Sequence, residues 1–231
     1  MNASILRSTL ILGLTSFIAT FALSHIKAIT YPVIQKQERQ KQENALALVL
    51  PGYTIGEERT AAVGGANFTY WTGQKAGGNT IAKAYAFIAE KPGYSGAIRT
   101  MVGVDEKGTV LGISIIRQSE TPGLGARVLE AASRNTFFQV VTGRAHETGE
   151  EPSPWFQEQF RGVNAAAKIA ILKKGDWNEA MRDELLQKNG VSAITGATIT
   201  TKAVKDSIEV GMATLRMALE EHAKAQEAAG K

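Results

Sequence analysis

The sequence predicts an α+β protein, a mainly antiparallel sheet with packed helices, behind a single N-terminal transmembrane helix. Three observations predict it. Residues 8–24 carry no charge. Between residues 80 and 117, β-rich runs alternate with short turns containing Gly or Pro. From about 201 to 228, apolar residues recur at helical spacing.

The apolar run comes first. As a helix, residues 8–24 rise about 25 Å, short of a hydrocarbon core of about 30 Å. Extension through Ile26 to Ile29, with Lys27 reaching back to the interface, completes a span. A cleaved signal peptide is the rival, with Arg7 as its charged start and Ala22-Leu23-Ser24 as a small-x-small site. Apolar character running past that site favours a retained anchor. Residues 1–30 therefore read as the anchor, 31–50 as a juxtamembrane stalk helix, and 51–231 as one domain. The stalk is polar at 35–42, apolar at 45–50, and stopped by Pro51-Gly52. Basic residues flank the span on both sides (Arg7 before; Lys27, Lys36, Arg39 and Lys41 after), so charge bias does not set orientation. A single span forms no channel or pump by itself.

In the domain, residues 64–78 are Gly-rich and read as loop with one short strand. Strands are expected at 80–89, 97–104 and 109–117. Pro92-Gly93 turns the chain, and Asp105–Gly108 closes a hairpin. Short helices are expected at 127–133, at 155–160 with an aromatic face, and at 178–188, ended by Asn189-Gly190. The final helix presents Val204, Ile208, Met212, Leu215 and Leu219 on one face, with Lys202, Lys205, Glu209, Arg216 and Glu220 largely on the other.

Composition narrows the chemistry. The chain has 231 residues and a net charge of +4, with basic and acidic residues interspersed, so there is no nucleic-acid patch. It has no cysteine, which excludes disulfides, thiolate metal sites, iron–sulfur ligation, a lipoprotein anchor and a catalytic thiol. His25, His146 and His222 are too scattered to form a metal site.

Two segments carry candidate chemistry. In 192–201, small residues allow close approach, and Thr198, Thr200 and Thr201 set hydroxyls at a helix amino end, where free N–H groups favour a phosphate. Plain capping is the alternative. A Thr hydroxyl is a weak nucleophile without a base, and none stands beside it in the sequence. In 120–125, the glycines admit a flat ligand, and Glu120 and Thr121 can hydrogen-bond a ring edge. The alternative is an ordinary strand-to-helix turn.

Together the segments resemble the covalent FMN-binding family, and within it the G subunit of Rnf electron-transport complexes. The C subunit of the sodium-translocating NADH:quinone reductase is a near neighbour. The resemblance runs through Leu-Pro-Gly-Tyr at 50–53, Gly-Tyr-Ser-Gly-Ala-Ile at 93–98, Met-Val-Gly-Val-Asp at 101–105, Glu-Thr-Pro-Gly-Leu-Gly at 120–125, Trp-Phe-Gln-Glu-Gln-Phe at 155–160 and Thr-Gly-Ala-Thr-Ile-Thr at 195–200.

It implies an α+β FMN-binding domain over 51–231 that carries FMN as a phosphoester on Thr198. Thr195, Gly196, Ala197 and Thr200 would frame that bond. Glu120, Thr121 and Leu124 would lie against the isoalloxazine, and Lys174 near the ring or phosphate. A flavin transferase would make the bond from FAD with a metal ion. The chain would be an electron carrier without turnover of its own, beside integral and peripheral subunits that move the ion and handle ferredoxin or NADH. It would be held in lipid at the bacterial inner membrane, single-pass, with its domain on the periplasmic face. The family motif usually opens with Asp six residues before the acceptor, where this chain has Ser192; if the transferase reads that carboxylate, modification is less efficient. The rival readings are a non-redox assembly subunit of the same complex, in which Thr198→Ala leaves turnover intact, and the equivalent subunit of the quinone reductase.

Overall fold

The computed structural model describes residues 3–77, 80–130 and 154–229. They form two compact units, Met1–Glu43 and Asn44–Lys231.

Helix α1 runs Ala3–Val49. Among the described residues it is the one helix long and apolar enough to cross a membrane, with a mean hydropathy of 1.7 over its most apolar window. Leu10, Phe17, Phe21 and Leu23 are exposed along it. The hydroxyls of Thr9, Thr15 and Thr20 donate to carbonyls one turn back, so none needs water. Pro32 sits inside the helix, where it removes one backbone donor.

The second unit is built on a five-stranded antiparallel meander: β1 (Thr54–Val63), β2 (Ala66–Gly77), β3 (Thr80–Pro92), β4 (Ala97–Asp105) and β5 (Val110–Arg117), in that order. The strands expected at 80–89, 97–104 and 109–117 are present. The loop expected at 64–78 is instead a long strand. Val63 pairs with Ala66, and Gly64 and Gly65 stand at φ 60° and 81°. Two consecutive left-handed residues make the tight turn whose twist matches a hairpin. The Gly-Gly pair that suggested a loop is therefore the hinge between β1 and β2.

After β5 comes a 3-10 turn, Gly125–Leu129, in place of the start of the helix expected at 127–133; the rest of that stretch lies outside the described residues, as does His146. Helix α2 (Trp155–Glu158) follows. Strand β6 (Ala170–Leu172) pairs in parallel with β7 (Gly190–Ser192), through a 3-10 turn and helix α3 (Arg182–Gln187). Asn189, at φ 46°, ends α3, and its side chain bonds the backbone of Asn164 and Lys168. Helix α4 runs Thr198–Ala229 and begins three residues before the expected start at Thr201.

Alternation along the strands sends two apolar sets to opposite faces. Tyr70, Phe87, Val102, Val104 and Ile113 meet Val204, Ile208, Met212 and Leu215 of α4. Trp71, Ala84, Ala86 and Met101 meet Ala45, Leu46, Val49 and Leu50. Lys205, placed by periodicity on the polar face, is buried; it is held between Asp206 (2.8 Å) and Glu209 (2.9 Å).

Replacing Gly64-Gly65 by Ala-Ala is expected to destabilise the domain by about 1–2 kcal/mol per residue, because L side chains resist the left-handed region. Asn-Gly at the same positions is expected to be close to neutral in chemical denaturation.

Candidate functional site

Strand β7 runs directly into the turn that starts α4. Thr201 tightens this turn: its hydroxyl donates to the Ala197 carbonyl (3.2 Å) and accepts from the Ile194 N–H (3.1 Å). Gly196 makes the bend at φ 78°. The first backbone bond into the helix runs from Thr201 N–H to the Ala197 carbonyl. The N–H groups of Thr198, Ile199 and Thr200 thus precede the helical ladder and have no acceptor among the described residues.

Burial sorts the hydroxyls. Thr200 is buried and donates to Glu120 Oε2 at 2.5 Å. Thr198 is exposed, it is the first residue of the helix rather than its cap, and its hydroxyl bonds no described residue. Capping, the plain alternative for Thr198, is not what its side chain does.

Glu120 is buried and collects donors from two directions. Besides Thr200, its Oε1 accepts from the Ser95 N–H at 3.0 Å. Ser95 and Thr121 share a hydroxyl contact of 3.0 Å. A Cβ on Gly125 would sit 2.6 Å from the Thr200 hydroxyl, so the second glycine of the 120–125 segment leaves room for this carboxylate and its donor.

The result is a cleft of about 420 Å³ between the two segments. Glu120, Thr121, Leu124 and Gly125 form one wall. Gly196, Ala197, Thr198, Ile199 and Thr200 form the other, with Tyr94 beside them. Its size falls within the usual range for small-molecule sites. Two of the expected residues stand outside its lining. Thr195 offers its N–H to Asp176 at 3.4 Å, and Lys174 is paired with Glu184. Ser192 is fully buried: its hydroxyl donates to the Gly175 carbonyl (2.6 Å) and its N–H to Gln159 (2.7 Å).

A model of the FMN-binding domain matches residues 93–212, which include every residue of this cleft, and a model of the RnfG N-terminal region matches residues 1–49. The chain is 30% identical over 206 residues to the G subunit of the proton-translocating ferredoxin:NAD(+) oxidoreductase complex of Clostridium ljungdahlii, covering 89% of each. The chain belongs to the FMN-binding domain family, among the Rnf G subunits. A second relative, the G subunit of the ion-translocating oxidoreductase complex of Cronobacter sakazakii, is 29% identical over 206 residues, covering 86% of this chain and 84% of that one. In fold the chain is similar to the C subunit of the Na(+)-translocating NADH-quinone reductase of Parabacteroides distasonis, with a TM-score of 0.50 at 18% identity over 78% of this chain and 92% of that one.

Sequence reasoning gave no site role to Tyr94, Ile199 or the latch behind the turn. Tyr94 is an exposed aromatic bracketed by Gly93 and Gly96, a signal that was available. The latch was not available, since its partners are far apart in sequence. Arg127 grips both oxygens of Asp176 (3.2 and 2.7 Å), bonds Glu130 (2.8 Å) and lies over the Trp155 ring. The Arg127 guanidinium holds the Asp176 carboxyl below the usual carboxylate range.

Glu120→Ala is expected to cost about 2–3 kcal/mol by leaving buried donors unpaired, whereas Glu120→Gln can accept from Ser95 and donate to Thr200, and stays near wild type in thermal unfolding. Because the Asp176 value is depressed, its contribution is complete above the ordinary carboxylate range and fades as pH falls through the lowered value. Asp176→Asn is expected to flatten the acid limb of the stability–pH profile relative to wild type.

Proposed function

We propose that this chain carries FMN as a phosphoester on Thr198 and passes electrons as a subunit of an ion-translocating oxidoreductase complex. Family membership supports the electron-carrying, FMN-binding role beside other subunits of a membrane complex. The observation that carries the covalent reading is the exposed Thr198 hydroxyl at the amino end of α4, beside three backbone N–H groups without acceptors among the described residues. Those donors and the helix dipole suit a phosphate diester at that oxygen.

The cleft fits the rest of the group. Thr121 and the exposed Tyr94, Leu124 and Ile199 offer a mixed polar and apolar seat for a flat ring. Glu120 acts behind this surface, fixing the two walls relative to each other. Thr195 and Gly196 set the turn; Lys174 is assigned to its surface pair with Glu184. Bound FMN supplies one- and two-electron chemistry, which lets one carrier serve different partners.

No described side chain approaches the Thr198 hydroxyl as a base, and the Glu120 carboxylate is engaged by Ser95 and Thr200. That suits the route the family resemblance implies, in which a separate flavin transferase, using FAD and a metal ion, makes the bond. Ser192 is buried and hydrogen-bonded through its hydroxyl, so the position lies inside the fold and the folded chain offers no carboxylate there for a transferase to read. In this proposal residues 1–30 anchor the chain in lipid, 31–50 form the stalk, and 51–231 form the FMN domain on the periplasmic face of the inner membrane. The chain has no turnover of its own.

Expressed with a flavin transferase, the wild-type chain is expected to give a band that fluoresces under ultraviolet light on a denaturing gel. Thr195→Ala keeps the band and Thr198→Ala loses it. A dark wild-type band, or a bright Thr198→Ala band, overturns the linkage.

A further inference from the structure

The sheet face beneath α4 continues past its apolar layer into a polar one. Arg59 is opposite Tyr70 across β1 and β2, and Thr72 is opposite Tyr85 across β2 and β3. Directly paired residues point the same way, and residues two apart share a face. Arg59, Tyr70, Thr72, Lys83 and Tyr85 therefore stand together, and α4 roofs them with Leu219 and His222. They line a second cavity of about 390 Å³ that shares no residue with the cleft at Thr198.

Two side chains in this cavity lack what burial demands. Tyr70 is fully buried, yet its hydroxyl has no hydrogen-bond partner among the described residues. Nε2 of His222, whose ring meets Tyr70 edge-on at 5.8 Å, is likewise buried without a partner among the described residues. Two such atoms, brought from a strand and a helix to one wall, call for a common partner. At the mouth, Arg59 and Lys83 are exposed, and neither pairs with a carboxylate among the described residues. Among the described residues no carboxylate lines the cavity. Burial, and after it the Glu106 charge, push the Tyr85 hydroxyl above its ordinary value, so it stays a donor at neutral pH.

We propose that this cavity binds a phosphate monoester, with Arg59 and Lys83 taking the charge and Tyr70 and His222 donating to its oxygens. Two cations and several neutral donors lining one cavity match a multi-oxygen dianion better than a single carboxylate. The volume exceeds what bare phosphate needs, and Leu219 gives the organic part an apolar wall. This site is independent of the flavin reading.

The test uses the full-length chain in detergent at constant ionic strength, titrated with glycerol 3-phosphate and, as control, glycerol. A second arm uses vesicles of phosphatidic acid, a lipid phosphate monoester, in phosphatidylcholine against phosphatidylcholine alone. Binding of glycerol 3-phosphate assigns the ester to a soluble molecule. Binding of phosphatidic acid vesicles alone, lost in Arg59→Ala/Lys83→Ala, assigns it to a lipid headgroup. In either case the double variant is expected to weaken binding about tenfold or more. Tyr70→Phe is expected to weaken it too, while leaving the ligand-free Tm unchanged or higher, since it deletes an unsatisfied hydroxyl. Flavin content should stay at the wild-type level in all variants. The proposal is overturned if neither probe binds above its control, if the double variant binds as well as wild type, or if Tyr70→Phe lowers the ligand-free Tm.

Discussion

The domain depends on the buried carboxylate of Glu120. It accepts from the backbone of the turn after β3 and from a hydroxyl in the first turn of α4, while its own backbone belongs to the loop after β5. Three segments far apart in sequence are thereby held at one point. A buried acceptor of this kind is costly unless its donors are in place, so the same groups that make it tolerable also fix its neighbours. The amino end of α4 is pinned to the end of the sheet as a consequence, and the cleft exists because of that pin.

Around the pin, burial divides similar side chains into different roles. Thr200 and Thr201 use their hydroxyls to hold the fold together, one on Glu120 and the other across the turn from Ile194 to Ala197. Thr198, between them and the bend at Gly196, keeps its hydroxyl outside that network. The Arg127–Asp176 pair braces the turn from behind and takes up the Thr195 N–H. Thr198 is left at the surface with a hydroxyl unengaged among the described residues, at the positive end of a long helix. That is the kind of position where an anionic group is best stabilised.

Much of this was legible in the chain. The apolar stripe of α4 was readable because its 3.6-residue period decides which residues are buried, and the β4–β5 hairpin because Gly108 marks its turn. The pairing of the 120 and 195 segments followed from a resemblance, not from periodicity. Strand β1 was missed because only Ala61 and Val63 along it are buried, so alternation is faint. Strand β2 was hidden by its glycines. The early start of α4 ran against the weak helix propensity of Thr and was decided by tertiary contacts. Long-range pairs such as Arg127 with Asp176, and the meeting of Tyr70 with His222, leave no local pattern to read.

The central claim, that the oxygen of Thr198 holds the flavin, is tested most directly by mass spectrometry of the chain isolated from its native membrane complex. The account predicts an intact mass equal to the polypeptide plus FMN less one water, with fragmentation placing the added mass on Thr198. A bare polypeptide, or an adduct on any other residue, would contradict it.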